Sequence, residues 1–147
     1  MKILLVAINA KYIHSNPAVY SLKKSAKGYG ETVEIVEYTI NNSFGHILQD
    51  IYSKNADVIC FSCYIWNIQI IEELSEIINK LYPNTPIWLG GPEVSYDTDN
   101  YLKNHPFIKG IIVGEGEETF KELCGYYLNN NFENSLKNIA GLTFLDE

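Results

Sequence analysis

The chain has no arginine: the 11 basic residues among its 147 are all lysine. Without a guanidinium it has no fork-shaped donor for bidentate recognition of phosphate or carboxylate. Acidic residues outnumber the lysines at 18, giving a formal net charge of −7. Neutralising a phosphate backbone needs clustered Lys or Arg, so DNA is excluded as a partner. No apolar run approaches the roughly 20 residues that span a bilayer, and no segment reads as a membrane partner. Cysteine is scarce, with three residues at positions 60, 63 and 124. That odd, sparse count does not build a disulfide scaffold, and it suits a reducing cytoplasm. There is no fixed-period repeat, and the only local bias is an Asn cluster at 129–131.

Apolar residues make up 46% of the chain and charged residues 20%, enough for a packed core in one domain covering 1–147. The opening segment, MKILLVAINAKYIH, lacks a small-residue cleavage site and reads as a buried strand, not a signal peptide. Strand patterns at 2–8, 31–38, 57–62, 86–90 and 109–113 alternate with helical patterns. The first helix is capped by Ser15 or Asn16, accepts Pro17 in its first turn and turns Val19, Leu22, Ala26 and Tyr29 inward, with Gly28 and Gly30 as stop signals. Further helices are predicted over 44–54, 67–81, 97–104 and 116–128. The helix over 67–81 places Ile68, Ile71, Leu74, Ile78 and Leu81 on one face. The polar–apolar alternation of 31–38 marks a strand near a sheet edge, and 139–145 is an additional C-terminal strand. Five βα units imply an α/β fold: a doubly wound five-stranded parallel sheet, order 2-1-3-4-5, with helices on both faces. Ligands of such sheets lie beyond the carboxyl ends of the strands, so chemistry is expected in 9–16, 62–67, 90–95 and 114–118.

Four strand-end segments follow from that rule. The first runs from Asn9 through Lys11, Tyr12, His14 and Ser15 to Pro17, and delivers polar groups to a helix N-terminus. The second, Ser62-Cys63-Tyr64-Ile65-Trp66-Asn67, holds two aromatics able to wall a planar ligand or simply to pack. Cys60 and Cys63 are spaced as CxxC, but residues three apart on a strand point to opposite faces, so a metal or redox role is rejected. Cys124 reads as a core residue on a helix. The third, Gly90-Gly91-Pro92-Glu93, suits either a tight turn or close approach of a ligand to the backbone. In the fourth, Gly114-Glu115-Gly116-Glu117-Glu118, the acids of the first helical turn offset the helix dipole, but this leaves the two glycines unexplained.

Several site types are missing. GxGxxG does not follow the first strand and GxxxxGK with Ser or Thr is absent, which disfavours a dinucleotide or P-loop site. A receiver domain needs an acceptor Asp at the end of strand 3, where Ser62 stands. His14, His46 and His105 lie on separate elements, and no nucleophile–base pair or metal cluster is evident.

The ordered segments NAKYIHSNPAVYSLK, FSCYIWN, WLGGPEVS and IIVGEGEETF resemble the N-terminal cobalamin (B12)-binding domain of radical S-adenosylmethionine (SAM) proteins. The resemblance covers roughly 1–145. It implies a flavodoxin-like domain that holds a corrin at the carboxyl edge of the sheet, with the nucleotide tail running base-off between strands and helices. Carried over by position, Ser62 meets the tail and Gly90 and Gly91 line its tunnel. The 9–16 loop and Gly114, Glu115, Gly116 and Glu117 face the corrin, while Tyr64 and Trp66 pack beside it. Related cobalamin domains carry DxHxxG after strand 1, with the His as lower cobalt ligand. Here that pattern meets Asn9, Lys11 and His14, so His14 is displaced, and capping or a surface role is favoured over axial ligation. The CxxxCxxC of a radical SAM barrel is absent. The resemblance therefore implies a cofactor module cut from a longer methyltransferase, whose iron–sulfur cluster and S-adenosylmethionine belong to a downstream domain. The alternatives are a degenerate scaffold or interaction domain of the same fold, and a flavin-binding domain.

Overall fold

The computed structural model describes residues 1–10, 16–129 and 135–146. Its sheet has six strands: β1 (Ile3–Asn9), β2 (Val33–Thr39), β3 (Val58–Ser62), β4 (Ile87–Gly90), β5 (Gly110–Ile112) and β6 (Leu142–Phe144). Their order is β2-β1-β3-β4-β5-β6. The first five are parallel, and β6 adds to β5 antiparallel. The predicted order and extra strand are thus both present, and β2 is an edge strand as its alternation suggests. All seven residues of β1 are buried. Each such Leu or Ile contributes roughly 1.5–3 kcal/mol on leaving water, so burial on two faces, more than β propensity, holds this strand in the middle.

Two helical layers cover the sheet. On one face lie α2 (Phe44–Ser53), α3 (Ile68–Leu81) and α4 (Thr98–Asn104), which bury Ile47, Ile51, Ile71, Leu74, Ile78 and Leu102 against Leu4, Val6, Ile8, Ile59 and Phe61. On the other lie α1 (Pro17–Ser25) and α5 (Glu117–Leu128), whose Val19, Phe120, Leu123 and Cys124 meet Ile3, Leu5, Ala7, Cys60, Trp88 and Ile112. Asn16 caps α1, its Oδ1 accepting from the Ala18 N–H at 3.0 Å, with Pro17 in the first turn. Ser43 caps α2 in the same way.

Two sequence expectations need correction. Leu81 is not on the inward face of α3; it is 50% exposed at the last turn, where the 3.6-residue period has carried it past the stripe. Gly28 and Gly30 do not stop α1. The helix ends at Ser25, and a 3₁₀ turn over Lys27–Tyr29 takes over, with Gly30 at φ −54°. Ala26 and Tyr29 still pack in the α1/α5 layer. Among the described residues, no helix is long and apolar enough to cross a membrane.

Gly110 sets how closely β5 approaches its neighbours. A Cβ there would collide with the Trp88 ring and the Thr143 carbonyl. Trp88 is fully buried, and its Nε1–H donates to the Tyr127 hydroxyl at 2.9 Å, so the ring cannot retreat without breaking that bond. Gly110→Ala is expected to lower stability by about 1–3 kcal/mol in urea denaturation. An unchanged midpoint would mean that the ring and β6 yield freely.

Candidate functional site

The register across the carboxyl edge lines up four residues on the α1/α5 face. Ala7 pairs with Ser62, Ser62 with Gly90, and Gly90 with Ile112. Three of the four are small. A helix–sheet interface is normally filled to crystal-like density, so the small Ser62 and Gly90 leave space that their neighbours do not fill. The result is a cleft of about 410 Å³ between the sheet, α1 and α5. That lies within the roughly 300–1,000 Å³ of small-ligand sites. It descends from the strand ends to Leu5 and Cys60, and its helical walls are Val19, Leu22 and Phe120.

The rim is made by the predicted loops. Ser62, Tyr64, Gly90, Gly91, Pro92, Gly114, Glu115 and Gly116 all border the cleft. Gly91 sits at φ 106°, and a Cβ on it would strike the Cys63 backbone. Gly116 is the N-cap of α5 at φ 82°, following Gly114 at φ 83°. The two glycines therefore serve a backbone path that L side chains rarely adopt. Ser95, inside the 90–95 segment but not singled out there, also borders the cleft, and its hydroxyl donates to the Gly91 carbonyl at 2.7 Å.

Other predicted residues lie elsewhere. Cys63 packs in the α2/α3/α4 layer, opposite Cys60, as strand alternation requires. Burial pushes both thiols well above their ordinary range, and raises Cys124 to about 12. All three are unpaired, buried cysteines. Trp66 is 43% exposed and stacks flat on Tyr64 (ring centroids 4.5 Å apart, planes 4° apart), while its Nε1–H donates to the Ile8 carbonyl at 3.1 Å. Asn9 turns its amide to Glu37. Glu93 is exposed on a 3₁₀ turn. Glu117 ties α5 to α1: its Oε1 accepts from Ser21 at 3.0 Å and its carbonyl from Ser25 at 3.0 Å. Lys11, Tyr12, His14 and Ser15 lie outside the described residues. Among the described residues there is no group of three or more His, Cys, Asp or Glu side chains placed to hold a metal.

Three polar residues organise the rim: Asn16, expected only as a helix cap, Asn67, expected only as the end of a strand-end segment, and Glu37, which was missed. Asn67, wholly buried, donates to the Ile8 and Ser62 carbonyls, both at 3.0 Å, and accepts from the Tyr64 N–H at 2.8 Å. It thereby clamps the ends of β1 and β3. Asn16 spans from its cap to Ser62, its Nδ2 donating to Ser62 Oγ at 3.4 Å. Glu37 on β2 accepts from the Asn16 N–H at 2.9 Å, Asn9 Nδ2 at 3.2 Å and the Tyr20 hydroxyl at 2.8 Å. Desolvation works against its charge, but these three donors together hold its carboxyl below the ordinary range. An Asn beside a strand end, or an acid on an edge strand, carries no pattern that separates it from surface polarity. The apolar walls could have been found by aligning strand ends and noting small residues at one level.

This edge belongs to a flavodoxin-like domain with an open cleft between the sheet and one helical layer. Residues 3–124 match the family model described as B12 binding domain, and the chain belongs to that family. A cobalamin-dependent radical SAM methyltransferase of Streptomyces tokunonensis, TokK, is 33% identical over 75 residues, or 51% of this chain and 11% of that protein. An anaerobic magnesium-protoporphyrin IX monomethyl ester cyclase of Cereibacter sphaeroides is 28% identical over 126 residues, 86% of this chain and 20% of that protein. The chain thus spans between a tenth and a fifth of these relatives. A cobalamin-binding protein of Desulfitobacterium hafniense superposes with a TM-score of 0.60 at 11% identity, covering 86% of this chain and 59% of that one. The receiver domain of Escherichia coli RcsB gives 0.55 at 15% identity, covering 88% and 93%. At these identities the last two show a shared fold alone.

Two expectations follow. Gly91→Ala should cost about 1–3 kcal/mol, whereas Gly90→Ala, whose Cβ meets nothing closer than 3.6 Å, should shift stability by less than about 1 kcal/mol; urea midpoints compare them. A carboxyl held low in the fold adds stability above its unfolded pKa and loses it as pH falls through the folded one. Stability should therefore drop below about pH 5, and Glu37→Gln should flatten that limb in denaturation measured at about pH 7 and about pH 4. Glu34, held low mainly by Lys2 and also by Lys54, keeps a share of the limb in the variant.

Proposed function

We propose that this chain is the cofactor module of a cobalamin-dependent radical SAM methyltransferase, holding cobalamin base-off with its nucleotide tail in the α1/α5 cleft. The observation that carries the reading is the register pair Ser62–Gly90, two small residues that border the cleft and leave it open beneath the rim. The residues present suit the group. A planar aromatic base fits apolar walls from Leu5, Cys60, Val19, Leu22 and Phe120, and Ser62 offers a hydroxyl where the base enters. Tyr64, backed by Trp66, and the Gly114–Gly116 turn would hold the corrin at the carboxyl edge.

When bound, cobalamin supplies a cobalt that carries a methyl group. The chain's own part is to hold and orient. Ser62 and the cleft walls fix the tail, and the Asn67 clamp and the Glu37 hub fix the loops around it. The iron–sulfur cluster and S-adenosylmethionine belong to a downstream domain of the longer protein, which is the partner we assign. The unpaired cysteines suit the reducing cytoplasm in which we place it. A degenerate scaffold would more naturally have a side chain plugging the cleft at Gly90-Gly91, and an open cleft supports the cofactor reading instead.

Titration with hydroxocobalamin followed by gel filtration should leave a base-off corrin spectrum on the protein, while FMN should elute free. Gly90→Leu, which projects a side chain into the cleft, should weaken cobalamin binding at least about tenfold with the fold retained by circular dichroism. No retained corrin at high micromolar cofactor, or undiminished binding by Gly90→Leu, would overturn the assignment.

A further inference from the structure

We infer that the cleft sorts cobamides by the base that ends their tail, accepting a base with one ring-nitrogen acceptor and a hydrocarbon end and rejecting purines. The inference rests on the cofactor reading above and extends it to the class of cobamide. It stands on two observations, one at the mouth of the cleft and one at its floor.

At the mouth, the direction of hydrogen bonding is settled by the cap of α1. Asn16 Oδ1 is committed to the Ala18 N–H, so the other arm of the amide is its NH₂, and this arm donates to Ser62 Oγ. A hydroxyl that accepts from an amide keeps its own proton for another acceptor, and no described residue takes that proton. The neighbouring hydroxyl cannot substitute, because Ser95 is already committed to the Gly91 carbonyl. Ser62 therefore presents a donor to whatever enters. A benzimidazole or purine base meets it with a ring nitrogen, and a phenolic base has none to offer.

At the floor, the chemistry is entirely different. Leu5 and Cys60 are register partners two residues below Ala7 and Ser62 on the same face of the sheet. Val19, Leu22 and Phe120 close over them. None of these five side chains carries nitrogen or oxygen, and a thiol is only a weak hydrogen-bonding group. The backbones of β1 and β3 are held in ladders on both sides, so they offer no spare groups. The hydrocarbon ring of a benzimidazole leaves water here at no polar cost. A purine would bring ring nitrogens and, in adenine, an amino group to the same place without partners. Burying such groups unpaired should weaken binding roughly tenfold or more.

The test is equilibrium titration of the chain with hydroxocobalamin and with its adeninyl counterpart, followed by corrin absorbance and reported as the ratio of the two dissociation constants. The expected ratio favours cobalamin by roughly tenfold or more. Ser62→Ala should weaken both cobamides alike and leave the ratio intact. Cys60→Ser, which sets a hydroxyl on the floor, should narrow it. Leu22→Gln does the same from a half-buried site on α1 and serves if the strand variant fails to fold. Equal affinities for the two cobamides would overturn the sorting and leave the cofactor reading standing. A ratio that collapses in Ser62→Ala, or one unmoved by both floor variants, would overturn the floor as the sorting element. Binding of neither cobamide would overturn the cofactor reading and the sorting together.

Discussion

Side chains on a sheet and on the helices above it meet in a layer about 10 Å thick, and native packing leaves almost no room there for anything else. A ligand can enter that layer only where neighbouring strands give up volume at the same level. In this chain the surrender is made by Ser62 and Gly90, register partners on adjacent strands that both border the cleft. Because their register is parallel, the gap is continuous and runs along the strands, toward Leu5 and Cys60. One large side chain at either position would close it. The cleft also explains where the fold gives up stability: apolar walls that could have been packed together are left open, and a ligand that covers them returns that burial to the folded state.

Keeping such a gap open requires a frame that does not collapse into it. The α1/α5 side is propped by Ser21 and Ser25 against Glu117, which ties the two helices to each other instead of letting each settle onto the sheet. The strand ends are held by Asn67, whose three hydrogen bonds leave none of its groups unpaired although it is wholly buried. The start of α1 is held by Glu37 through Asn16, the same residue that touches Ser62. The frame is thus polar and the cleft it surrounds is apolar. A fully satisfied polar network specifies one arrangement more sharply than apolar packing alone, which suits a site that must stay open without its ligand.

The fold was legible because its signals are periodic. A continuous apolar run marked β1 as buried, alternation marked β2 as near an edge, and the stripe of α3 was misread only at its last turn, at Leu81. The strand-end rule then found much of the rim, including Ser62, Tyr64, Gly90, Gly91 and the Gly114–Gly116 turn. The floor and frame were less legible, for two physical reasons. Leu5, Val19, Leu22 and Phe120 are ordinary core residues by type, and only register shows that the space above them is empty. Asn67 and Glu37, and Asn16 beyond its cap, act through hydrogen bonds to groups on other elements, and a polar residue in a loop or on an edge strand looks the same whether it faces water or a carbonyl. Gly28 and Gly30 illustrate the converse, since residues with the composition of a helix stop proved unnecessary once a 3₁₀ turn was available.

The general rule for doubly wound sheets places a ligand in the crevice between the strands where the order reverses, here β1 and β3. In this chain the mouth of that crevice is already engaged. Asn67 and Trp66 both donate to the Ile8 carbonyl at the end of β1, and Trp66 lies flat against Tyr64. On the α2/α3 side the space is therefore closed by the protein itself. The open volume is displaced to the α1/α5 side, where it is bounded by β3, β4 and β5 as much as by β1. That displacement turns a crevice at the top of the sheet into a channel alongside it, which suits a ligand with a broad head and a narrow tail better than a compact mononucleotide. The shape of the site thus follows from which side of one strand end the buried asparagine fills.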